Sequence, residues 1–136
     1  MPFVLDNSVV MAWCFEDEDT KYADRVLELL DADTTITPAV WPLEIANAIL
    51  MSERRGRLSA TGTARFTELV SELAITVERI PLSRALGVVM EVGRTHGLTS
   101  YDAAYLELAM RRGLPLATLD NRLANAARQA NVTLIE

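Results

Sequence analysis

Phe3-Val4-Leu5-Asp6-Asn7-Ser8 is an apolar run that stops at an acid and leads directly into a segment with helical spacing. Leu116-Ala117-Thr118-Leu119-Asp120-Asn121 repeats that arrangement near the other end of the chain. Short apolar runs of this kind suit strands buried on both faces, whereas 3–4 spacing suits amphipathic helices. Working outward, strands are predicted at about Phe3 to Asp6, Thr34 to Thr37, Ile75 to Ile80, Leu116 to Leu119 and Val132 to Ile135. Helices are predicted from Ser8 to about Phe15, Lys21 to Ala32, Val40 to Arg55, Ala60 to Leu73, Ser83 to His96, Thr99 to Gly113 and Asn121 to Ala130. Thr20, Ser59 and Ser83 are expected N-caps, and Pro42 is tolerable only in a first turn. Glu16-Asp17-Glu18-Asp19 reads as a solvated acidic turn. Repeated β-α alternation with apolar strands means a parallel sheet of about five strands covered on both faces, so the fold class is α/β. The 136 residues suffice for one domain, 1–136, with a substantial core.

Composition excludes several chemistries. No apolar run approaches the ~20 residues of a membrane span. The N-terminus lacks the basic and apolar segments of a secretory signal. Cys14 is the single cysteine, which permits no internal disulfide, fits a reducing compartment and reads as a small buried hydrophobe. A cytoplasmic location is expected. One histidine and one cysteine cannot assemble the usual zinc ligand sets. His96, in Arg94-Thr95-His96-Gly97, reads as a basic residue in a last helical turn before a glycine cap. What remains abundant is oxygen, which suits Mg²⁺ and Mn²⁺. The net charge of −6 argues against nucleic-acid binding by charge alone. The cations are almost all arginine, clustered at Arg54, Arg55 and Arg57 and at Arg111 and Arg112. Such clusters suit phosphate contacts, but also the C-terminal ends of helices that stop at Gly56 and Gly113.

Four acids fall where strands give way to helices or within the first helical turn: Asp6, Glu44, Asp102 and Asp120. If the strands are parallel, these positions share one edge of the sheet, the edge where open α/β folds bind ligands. Taken singly, each has a local explanation. Asp6 and Asp120 could cap the following helices, Asp102 could complete a capping box with Thr99, and Glu44 could favour its helix dipole. The set is harder to explain that way. Glu44 sits among residues that read as buried, with no Lys or Arg within one helical turn, and such a carboxylate must be paired, protonated or bound to a cation. Four carboxylates on one edge would repel one another unless a cation lay between them.

The chain resembles the PIN-domain ribonucleases, specifically the VapC-like toxins of bacterial toxin–antitoxin pairs, over essentially its whole length. The resemblance rests on Val4-Leu5-Asp6-Asn7-Ser8, Trp41-Pro42-Leu43-Glu44-Ile45-Ala46-Asn47-Ala48, Gly97 through Leu106 (Gly-Leu-Thr-Ser-Tyr-Asp-Ala-Ala-Tyr-Leu) and Leu116-Ala117-Thr118-Leu119-Asp120. It implies that Asp6, Glu44, Asp102 and Asp120 are the catalytic, metal-binding acids. Ser8 and Thr118 are then nearby hydroxyls that orient ligands, and Asn121 is a further neighbour. It also implies a three-layer α/β/α sandwich, Mg²⁺ or Mn²⁺ as cofactor and RNA as substrate, cut by water to 5′-phosphate and 3′-hydroxyl ends. The implied partners are a second copy of the chain and a VapB-like antitoxin whose C-terminal segment crosses the active site. Trp13, Phe15 and Trp41 are apolar and close to the predicted site edges, so they are expected to receive an antitoxin helix, or else to be core.

Two alternatives stay open: an RNA-processing or decay nuclease of the same family without an antitoxin, and a non-catalytic PIN-like interaction module. A signalling receiver domain would need an aspartate pair where Asp6-Asn7 stands, and a lysine elsewhere than Lys21. A phosphatase built on paired aspartates would need an acid where Ser8 stands.

Overall fold

The computed structural model describes residues 1–15 and 20–136, so the expected acidic turn at 16–19 lies outside the described residues. Four strands, β1 (Phe3–Leu5), β2 (Thr35–Pro38), β3 (Ile75–Glu78) and β4 (Leu116–Ala117), form one parallel sheet in the order β3-β2-β1-β4. The chain therefore moves outward from β1 to β2 to β3, then returns to place β4 on the other side of β1. With right-handed crossovers, that reversal puts helices on opposite faces of the sheet. It also makes the β1–β4 boundary the topological switch point, where neighbouring strand ends lead away in different directions.

The helices are α1 (Asn7–Ala12), α2 (Lys21–Leu29), α3 (Trp41–Arg54), α4 (Ala60–Ser71), α5 (Leu82–Arg84), α6 (Met90–His96), α7 (Ser100–Arg112) and α8 (Asn121–Gln129). The central one is α7, which packs across β1 and β2 and buries every residue from Ala103 to Ala109. Its small residues let it approach the sheet, whose β1 strand is wholly inaccessible. Thr99 caps α7 by accepting from the Asp102 amide at 3.2 Å, and Gly113, at φ 62°, ends it in the left-handed conformation. The same device, Gly97 at φ 65°, ends α6 just after His96.

Four expectations need correction. The predicted fifth strand is reduced to one parallel bridge between Leu116 and Leu134, because β4 itself offers only two residues for pairing. Ser83 is not a cap: Pro81, extended at φ −60° and ψ 149°, precedes the helix, and Ser83 lies inside its first turn. That helix is also not uniform, since a π-helical turn at Ala85–Val89 joins α5 to α6. Gly87 and the β-branched Val88 and Val89 are weak helix formers at that point. Finally, much of the apolar surface of α3 is not core. Leu43 is 76% exposed, and Pro42, Ala46 and Leu50 are exposed with it. Periodicity identifies an apolar stripe, but it does not say whether this chain covers it. Only Trp41 in α3 is fully buried.

Arg57, Arg111 and Arg112 serve the scaffold. Arg111 and Arg112 both bond Glu78 at the end of β3, and Arg111 also donates to the buried Glu107 at 2.8 Å. Arg57 stacks over Phe15 with its guanidinium carbon 4.1 Å from the ring centre. Cys14 is half-buried against the core. No helix among the described residues is long and apolar enough to cross a membrane.

Candidate acidic active site

Asp6 leaves β1 at the switch point, where its amide donates to the Ala117 carbonyl of β4 at 3.0 Å. The residue is only 5% exposed. It occupies the N-cap position of α1 without a well-formed capping bond, although the Ser8 amide lies close enough to favour its ionised form. Instead its Oδ2 accepts two hydroxyls, Ser8 Oγ at 2.5 Å and Thr118 Oγ1 at 2.8 Å. Each hydroxyl in turn accepts a backbone amide from the loop after β4: Leu119 N–H to Ser8 at 2.9 Å, and Asp120 N–H to Thr118 at 3.0 Å. An amide can only donate, so both hydroxyl protons are left free to point at Asp6. This lattice joins the ends of β1 and β4 and fixes the Asp6 carboxylate.

The other three acids come from three further elements. Asp120 does cap α8, its Oδ1 accepting the Arg122 and Leu123 amides at 2.9 and 3.3 Å. Its Oδ2 has no protein donor among the described residues, so capping occupies only one of its two oxygens. Glu44, in the first turn of α3, accepts the Tyr105 hydroxyl at 2.6 Å through Oε1. Asp102, in the first turn of α7, uses its amide for the Thr99 cap, while its carboxylate makes no hydrogen bond among the described residues. The capping box is therefore half formed, and Asp102 is not held by it.

Electrostatics shows that the acids share one neighbourhood. Burial pushes the Asp6 carboxyl above its ordinary range; the bonds from Ser8 and Thr118 oppose this, and repulsion from Asp120 adds to it. Burial raises Glu44 as well, with the Tyr105 bond opposing and the charges of Asp6 and Asp102 reinforcing. Asp102 is raised by burial first, then by Asp6 and Asp120, with relief from Arg122 alone. Burial and the Glu44 carboxylate push the Tyr105 phenol far above its usual value, against a backbone hydrogen bond from Asn7. No salt bridge to any of the four acids exists among the described residues. Equally, no three acids, histidines or cysteines among those residues stand close enough to form a ready-made ligand cage. The donor set is all oxygen and repels itself, a match for a hard divalent cation.

Of the predicted supporting residues, Ser8 and Thr118 touch Asp6 directly. Asn121 opens α8 and lines a shallow groove with Tyr22, Thr118 and Asp120, but its side chain bonds none of the acids. Trp41 is buried and donates to Asn7 Oδ1 at 3.1 Å, so it belongs to the scaffold and not to an open docking face. Trp13 and Phe15 are half-buried, and Trp13 donates to the Ala23 carbonyl at 2.8 Å. Sequence reasoning missed Tyr105 and Asn7. The available signal was a tyrosine one turn beyond Asp102 in the otherwise apolar run Ala103 to Leu106, since a buried phenol needs a partner.

The repulsion has a measurable consequence. Folding raises the pKa of Asp102, so its ionised form opposes folding. That penalty is absent below the ordinary aspartate range near pH ~4 and is felt in full once pH exceeds the raised value. Asp102→Asn should therefore melt at or above the parent in chelator at pH 7.5, and the difference should fade toward pH ~4. It forfeits only a helix-dipole contribution of ~0.3–1 kcal/mol. A mutant that melts well below the parent in chelator would instead make Asp102 a structural residue.

Comparison with known proteins gives the family of the chain. The family model for the PIN domain matches residues 3–129. Ribonuclease VapC3 of Pyrobaculum aerophilum is 30% identical over 124 residues, covering 91% of this chain and 93% of that protein. The crystal structure of PAE2754 from Pyrobaculum aerophilum superposes with a TM-score of 0.68 at 25% identity, covering 93% of this chain and 87% of that one. VapBC2 from Rickettsia felis, solved with a DNA fragment from its promoter, shares the fold at a TM-score of 0.68 and 14% identity, over 99% of this chain and 98% of that one. The chain is a VapC-like member of the PIN domain family.

Proposed function

We propose that this chain is the toxin of a toxin–antitoxin pair and acts as a Mg²⁺- or Mn²⁺-dependent endoribonuclease. One observation carries the reading: four carboxylates from four elements repel one another at the switch point, with no basic side chain paired to them among the described residues. Asp6, Glu44, Asp102 and Asp120 are the proposed metal-binding and catalytic acids, with Ser8, Thr118 and Asn121 in support, all within a single domain spanning 1–136. Asp6 is the fixed point, because two hydroxyls hold one of its oxygens and leave the other for a ligand. Asp102 can rotate toward it without breaking a hydrogen bond. A bound divalent ion would supply the positive charge that polarises the phosphodiester and offsets charge on the departing oxygen. Attack by water then leaves 5′-phosphate and 3′-hydroxyl ends.

Ribonuclease activity is supported by relatives that bear that name, and an antitoxin partner by the likeness to the VapBC2 assembly. Exposed apolar residues support a partner independently. Leu43 and Leu50 on α3 are 76% and 47% exposed, and Leu82 and Leu86, four residues apart, are 73% and 62% exposed, so the exposed leucines come in sets and not singly. We assign part of this surface to a second copy of the chain and part to a VapB-like antitoxin, and the site to the cytoplasm, where RNA is available.

Two outcomes follow. Incubated with an RNA panel and Mg²⁺ or Mn²⁺, the parent should yield 5′-phosphate ends. Asp6→Asn should lower the rate at least ~100-fold without loss of fold. Undiminished cleavage in excess chelator, or cyclic-phosphate ends, would refute the hydrolytic metal mechanism. In sedimentation the parent should run at twice 15.0 kDa, and a strict monomer at high concentration would remove the second copy from the proposal.

A further inference from the structure

Glu44 stands apart from the other acids in how it is supported. Asp6 and Asp120 follow buried strands, and Asp102 lies on the helix that fills the core. Glu44 lies on α3, whose outer residues face solvent and whose one fully buried side chain is Trp41. A glutamate there has three rotatable side-chain bonds and is repelled by Asp6 and Asp102. Left to itself it would swing outward. Two hydrogen bonds on one face of α3 prevent this, one turn apart. Trp41 Nε1 donates to Asn7 Oδ1 at 3.1 Å, and Tyr105 donates to Glu44 Oε1 at 2.6 Å.

We propose that Tyr105 is the positioning residue for Glu44, holding one carboxylate oxygen so that the other is presented to the cation. The proposal rests on the metal-site reading above and goes beyond it, because Tyr105 touches neither substrate nor ion. Tyr105 is wholly inaccessible and sits three residues after Asp102 on α7. One rigid helix thus sets Asp102 through its backbone and Glu44 through a phenol 61 residues away in sequence. Trp41 and Asn7 complete the clamp by tying the start of α3 to the residue after Asp6. Hydrogen-bonding partners of metal ligands typically carry 10–100-fold of metal affinity.

The test is Mn²⁺ binding by calorimetry to the purified chain, with Tyr105→Phe, Glu44→Gln and the double variant. Tyr105→Phe should weaken binding ~10-fold or more, and the metal concentration for half-maximal RNA cleavage should rise by a similar factor. The maximal rate should largely return at saturating metal. In the Glu44→Gln background, Tyr105→Phe should add little, because its effect passes through Glu44. Binding by Tyr105→Phe within twofold of the parent, or tighter, would overturn the role of Tyr105 while leaving the nuclease reading intact. Absence of Mn²⁺ uptake by the parent would overturn both. If Tyr105→Phe does not fold, the parent labelled with 3-fluorotyrosine decides. Its three tyrosines are assigned with Tyr22→Phe and Tyr101→Phe, and the Tyr105 resonance should move as Mg²⁺ is added. A Tyr105 resonance unmoved at saturating Mg²⁺ would overturn the proposal.

Discussion

The hydrogen bond from the Asp6 amide to the Ala117 carbonyl, at 3.0 Å, marks the constraint on which the acidic edge depends. It holds the C-terminal ends of β1 and β4 side by side, although Asp6 and Ala117 lie far apart in the sequence. The loops that follow must then diverge, α1 in one direction and α8 in the other. The crevice between them is closed by Ser8 and Thr118, each accepting an amide from the β4 side and donating to Asp6. A carboxylate so placed has lost its water but gained two donors, and burial still outweighs them. Remove the β1–β4 pairing and neither hydroxyl would have a reason to face Asp6.

Around that fixed acid the fold accumulates charge against its own stability. At ~5 Å and an effective dielectric of ~20, two carboxylates repel by roughly 3 kcal/mol. The chain contains 13 lysines and arginines, yet Arg111 and Arg112 are committed to Glu78, and only Arg122 eases Asp102. Folds carry unrelieved strain of this kind chiefly at functional sites. The scaffold resists it with a buried α7, a capped α8 and the Tyr105–Glu44 bond. Each of these acts on a different acid.

Much of this was legible in the sequence, for a local reason. Asp6 and Asp120 end short apolar runs and precede helices, so strand, acid and helix start can all be read within six residues. Asp102 was legible through Thr99, which does cap the α7 amide. Most of what failed depended on distant chain. The sequence surrounds Glu44 with apolar residues of α3, but the face around Leu43 is open, and its enclosure comes from Tyr105 on another helix. The fifth strand failed because β4 is too short to pair with more than a bridge. Ser83 failed because Pro81 already supplied the extended entry to the helix. Tyr105 went unread because its ring suits a core helix, and nothing nearby in sequence announces the acid that its hydroxyl meets.

The most direct test of a divalent-cation site at the switch point is an anomalous-scattering map from crystals of the chain grown with Mn²⁺. The expected result is a peak bound to the free oxygen of Asp6 and to one or more of Glu44, Asp102 and Asp120, with the Ser8 and Thr118 bonds to Asp6 retained. Mn²⁺ bound elsewhere, with the four carboxylates still apart, would contradict it.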